Sequence, residues 1–133
     1  MISIDSEVIT AVRDAITEAH GKCFVSGEYL RSVSELPAVS ILEMNNYVPT
    51  RAIDSGTVEN YAEIMYQIDV YSADRSTKKS SARELMKTAD EVMIGMGFRR
   101  ISLNPLPNVN NATIFRMTAR YQAVVTKEGY IAR

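Results

Sequence analysis

The chain has 133 residues, enough for one hydrophobic core but not two, with 15 basic side chains against 16 acidic ones and a single cysteine. A net charge of -1 gives the whole-molecule field no pull toward nucleic acid or an anionic membrane, and one cysteine excludes an intrachain disulfide framework and a cysteine-ligated zinc site. No run of about 18 apolar residues occurs, and MISIDSEV lacks the basic-then-apolar order of a secretory signal, so neither a membrane span nor export is expected.

From Asp5 to His20, Val8, Val12, Ala15, Ile16 and Ala19 recur at helical spacing, which predicts an amphipathic helix with Asp5 or Ser6 as N-cap and Gly21 as its stop. KCFVS is a short strand candidate. AVSILEMN, after Pro37, is a stronger one, rich in side chains that suit a pleated sheet. Residues 45–60, NNYVPTRAIDSGTVEN, break every periodicity and read as a long loop. A long strand follows over 61–71, with Ala62, Ile64, Tyr66, Ile68 and Val70 on its inner side and Gln67, Asp69 and Tyr71 on its outer side.

A second helix fits residues 77–96, where Ala82, Leu85, Met86, Ala89, Val92, Met93 and Met96 form one apolar stripe and Gly95 and Gly97 mark the end. FRRISL reads as a strand, NPLPNVNN as a turn-rich connection, and ATIFRMTARYQAVV as the last strand. In it Phe115, Met117, Ala119, Tyr121 and Ala123 alternate with Arg116, Thr118, Arg120 and Gln122. The order α-β-β-β-α-β-β implies one α+β domain over 1–133: a mostly antiparallel sheet with two amphipathic helices packed on one face.

Candidate chemistry is thin. His20, the only histidine, falls at a helix C-terminus where it complements the dipole, and no second histidine can share a metal with it. Cys23 beside Lys22 reads as a small buried hydrophobe. Glu63 and Asp69 lie about 20 Å apart along one strand, too far for paired-carboxylate chemistry. Lys79, Arg83 and Lys87 form a basic stripe that Glu84, Asp90 and Glu91 dilute into a solvated face. Gly95 and Gly97 end a helix, whereas a phosphate loop precedes one. No catalytic residue, cofactor or metal site is therefore expected.

Two features remain. Arg116 and Arg120 share one strand face while Glu63, Gln67 and Asp69 share the polar face of another, so the outward side of the sheet is charged and sign-complementary. Tyr61, Met65 and Tyr71 fall on that same outward side, and Tyr and Met beside Arg are what protein interfaces favour. Glu63, Asp69, Tyr71, Arg116 and Arg120 are the expected subunit interface. The break at 45–60 carries Tyr47, Val48, Arg51 and Ile53 among Asn, Pro, Ser and Gly; it is expected to act as a docking arm that orders on contact with a partner.

YQIDVYS followed by KKSSARELMKTADEVMIGMGFRR, then NPLPN and IFRMTARYQAVV, resembles the tail terminator, or tail completion, proteins of long-tailed bacteriophages and prophages. The matching positions are Val70, Tyr71 and Ser72; Ala89 and Asp90; Gly97, Phe98 and Arg100; Pro107 and Asn108; and Arg116, Arg120 and Tyr121. The resemblance covers residues 61–125. It implies a small α+β subunit of the virion tail, assembled in the host bacterial cytoplasm, that forms a hexameric ring without catalysis. Such a ring caps the tail tube protein, stops its polymerisation and docks to the head-completion protein. A head-tail connector or minor capsid component is the nearest alternative. From another class, Arg116 and Arg120 suit an enzyme or binder holding an anionic ligand.

Overall fold

The computed structural model describes residues 1–28, 36–52, 60–73, 78–106, 114–129 and 131–132. Along the chain come α1 (Asp5–His20), β1 (Phe24–Ser26), β2 (Ala38–Tyr47), a 3-10 turn (Thr50–Ala52), β3 (Tyr61–Ser72), α2 (Lys78–Met96), β4 (Arg99–Leu106), β5 (Phe115–Thr126) and β6 (Ile131–Ala132). The strands form one sheet in the order β1-β2-β3-β5-β4, and β6 pairs with β5 beyond the end of β4. The fold is α+β, and the sheet is mixed: β1 runs parallel to β2, while every other pair is antiparallel. The sheet is thus mostly antiparallel, as expected, with the short β1–β2 pair as the parallel departure, and β6 adds a strand after the two foreseen.

Both helices pack on the same face of the sheet, because the two periodicities meet there. Val8, Val12 and Ile16 of α1 and Ala82, Leu85, Met86, Ala89 and Met93 of α2 join Val39, Ile41, Ile64, Tyr66, Ile68, Val70, Met117, Ala119, Tyr121 and Val125 in one buried cluster. The anticipated inner side of β3 is wholly buried. The helix stops also follow the glycines. Gly21 ends α1 at φ 76°, and at the end of α2 Gly97 (φ 111°) donates to the Ile94 carbonyl while Phe98 donates to that of Met93.

Three local expectations are corrected. The N-cap of α1 is Ile4, with no side-chain cap, because buried Ile2 and Ile4 set the chain's approach and Asp5 is engaged elsewhere. The break expected from residue 45 begins later. β2 continues through a bulge between Glu43 and Asn45, and Asn45, Asn46 and Tyr47 pair with Met65, Ile64 and Glu63. The bulge shifts the phase of the strand, which hides it from a period-2 reading. Finally, β4 continues through Asn104, Pro105 and Leu106, where a connection was expected. Pro105 is tolerated because β4 is an edge strand and its missing N–H can point away from β5.

Candidate functional site

The outer face of the sheet is assembled by register. β3 and β5 place Gln67 opposite Arg120, Asp69 opposite Thr118 and Tyr71 opposite Arg116. Asp69 is completely buried. Its Oδ1 accepts from Arg116 Nε (3.3 Å) and Nη2 (3.1 Å) and from the Thr118 hydroxyl, and its Oδ2 accepts from Gln67 Nε2 (3.0 Å). Arg120 Nε donates to Gln67 Oε1 at 3.2 Å. The Arg116 guanidinium lies 5.6 Å from the centroid of the Tyr71 ring. The result is one connected chain, Arg120–Gln67–Asp69–Arg116, laid across two central strands.

Of the five residues expected at a subunit interface, this network gathers Asp69, Tyr71, Arg116 and Arg120 but not Glu63. Glu63, half-buried, instead approaches the exposed Arg51 at 3.9 Å, a long contact at the surface of little energetic weight. The sign complementarity expected between copies is therefore largely spent inside one chain: Asp69 neutralises Arg116, and Arg120 meets a neutral amide. Tyr71 is buried beside Ala38 and Ile114, while Arg120 is exposed. For the expected docking arm, Tyr47 is an exposed strand residue, Val48 packs against the core and Arg51 lies in the 3-10 turn. Ile53 lies outside the described residues. Tyr47 and Val48 are thus anchored at the root of that segment.

The helix side carries a second polar arrangement that sequence reasoning missed. Tyr66 and Tyr121 are partners across β3 and β5. The Tyr66 hydroxyl donates to Asp5 Oδ1 of α1 at 2.8 Å, and the Tyr121 hydroxyl donates to Asp90 Oδ1 of α2 at 2.8 Å. Asp90 also accepts from Arg100 at 3.1 Å. Burial, and then the bonded carboxylates, push both phenols well above the ordinary tyrosine range. Each helix is pinned to the sheet through one central tyrosine. The available signal was that an inward tyrosine on a core strand needs a partner for its hydroxyl.

His20 Nε2 lies 2.6 Å from Thr88 Oγ1, tying the end of α1 to α2. Cys23 contacts the Pro37 carbonyl at 3.5 Å, and burial pushes its thiol up to about 11. At pH 8 the native thiol should react with iodoacetamide about tenfold or more slowly than the urea-unfolded chain, because the thiolate is the reacting form. The raised value favours the neutral thiol in the folded state. This contribution to stability is therefore complete below about pH 9 and is lost as pH rises through about 11. Equal native and unfolded alkylation rates at pH 8 would contradict it.

Among the described residues no cluster of three or more His, Cys, Asp or Glu side chains is arranged to hold a metal ion, and no helix is long and apolar enough to cross a membrane. No family model matches the chain, and no curated protein matches it.

Proposed function

We propose that the protein is a structural assembly subunit, a tail terminator of a long-tailed bacteriophage or prophage that forms a homo-oligomeric ring, hexameric by the resemblance. In the virion tail the ring caps the tail tube and joins it to the head-completion ring; assembly takes place in the host bacterial cytoplasm.

The observation that carries this reading is the state of the two sheet edges. β1 pairs only with Ala38, Ser40 and the residue between them, which leaves the later half of β2 as an open edge among the described residues. There Met44 is 47% and Tyr47 52% exposed. At the far side β4 is the other edge left open among the described residues, with Ile101 45% and Leu103 39% exposed. Large apolar side chains on two unlike edges suit unlike-to-unlike contacts, which close into rings when the rotation permits. Pro105 and the arginines of β4 guard that edge against indiscriminate strand pairing.

Light scattering of the purified chain across a concentration series, with negative-stain imaging, tests the reading. A discrete closed ring is the expected result. A monomer at every concentration overturns it.

A further inference from the structure

Between the exposed flank of α2 and the edge strand β4 lies a groove of about 200 Å³. Buried Met86 and Met117 form its floor, Leu103 one wall, and Arg83, Lys87 and Arg100 its rim. Arg83 and Lys87, one helical turn apart, are exposed and have no ion-pair partner among the described residues. Arg100 is balanced by Asp90, so the rim keeps an excess of positive charge. An apolar floor inside a cationic rim suits a partner that presents carboxylates beside an apolar side chain.

The opposite edge of the same sheet presents that combination. Glu43 and Met44 are exposed on the open half of β2. Glu43 stands across from Tyr66, whose hydroxyl reaches Asp5 in the first turn of α1. Asn46 Nδ2 donates to the Ile2 carbonyl at 2.8 Å, holding the start of α1 against β2. Glu7, exposed on that first turn, and Glu43 both lie close enough to the Tyr66 hydroxyl to act on it electrostatically, which places the two carboxylates at one corner. The near-zero net charge conceals this separation of an acidic corner from a basic groove.

Resting on the ring reading above, we infer that the α2–β4 groove of one copy receives the Glu7, Glu43 and Met44 corner of a second copy, so that subunits join head to tail. Charge complementarity selects this occupant. Groove against groove would set Arg83 and Lys87 against themselves, and corner against corner would do the same to Glu7 and Glu43; both contacts repel. The unlike contact removes both repulsions and leaves each end of a growing chain with one free surface, so association continues until it closes.

Two charge-reversed chains decide the matter: one carrying Arg83→Glu and Lys87→Glu, the other Glu7→Lys and Glu43→Lys. All four positions are exposed, and unchanged circular dichroism and melting confirm folding; should either fail to fold, the Gln versions at the same positions replace it as loss-of-charge variants. Alone, each reversed chain should self-associate about tenfold or more weakly than the wild type. Mixed in equal amounts, the two reversed chains should regain wild-type assembly in alternation, because an acidic groove then meets a basic corner and a basic groove an acidic corner. With the Gln versions, weakened assembly of each chain alone is the expected result. If the wild type assembles and either folded variant alone matches it, or the reversed pair stays dissociated when mixed, this interface is wrong while the ring reading stands. A wild type that never assembles overturns the ring reading itself.

Discussion

Replacing Asp69 by alanine should cost about 3 to 5 kcal/mol of folding stability, seen as a lower urea midpoint at nearly unchanged slope. Asp69 is fully buried on the outer side of the sheet, and its two oxygens accept from Arg116, Thr118 and Gln67. The alanine variant keeps the largely covered Arg116 guanidinium but removes its counter-charge, and it strands the Thr118 hydroxyl and the Gln67 amide. Desolvated charge without a partner dominates that sum. The double replacement Asp69→Leu with Arg116→Met should recover part of the loss, since it deletes both charges together. A loss below about 1 kcal/mol for Asp69→Ala, the scale of an exposed ion pair, would show that water reaches this network.

Leu85→Ala should cost about 2 to 5 kcal/mol. Leu85 is buried in the stripe by which α2 meets the sheet, with Ala82 and Ala89 one turn away on either side. These alanines are too small to swing into the vacated volume, so the cavity stays largely open. Lys87→Ala, on the exposed flank of the same helix, should stay within about 0.5 kcal/mol. Chemical denaturation of the two variants compares the faces directly. A loss under about 0.5 kcal/mol at Leu85 would mean that α2 is rotated away from the phase its sequence specifies.

The two helices, the long β3 and the parity of every side chain along β3 and β5 could be read from the chain alone. Each depends on a local repeat. Val8, Val12 and Ile16 return to one side of α1 whatever lies beneath them, and Gln67, Asp69 and Tyr71 must share one side of a strand because successive side chains alternate. Gly21 and Gly97 worked as stops for an equally local reason, since both adopt positive φ. The candidate site was legible to the same depth: its residue types and common face were visible, but their partners were not.

Partners and direction belong to the tertiary structure. That β1 runs parallel to β2 is decided by a pairing across a span of chain, and no periodicity within either strand records it. The bulge at Glu43 and Asn45 and the tolerance of Pro105 likewise depend on what lies alongside, or fails to lie alongside, each strand. Asp69 shows the distinction most sharply. Alternating backbone geometry alone sends the Asp69 side chain to the outer side of β3. Only the packed sheet decided that this side would be buried there, that Arg116 rather than another copy would supply the counter-charge, and that Glu63 on the same side would turn to Arg51. Side-chain parity follows from the dihedral angles of neighbouring residues, whereas burial and pairing follow from the register between segments brought together only when the chain has folded.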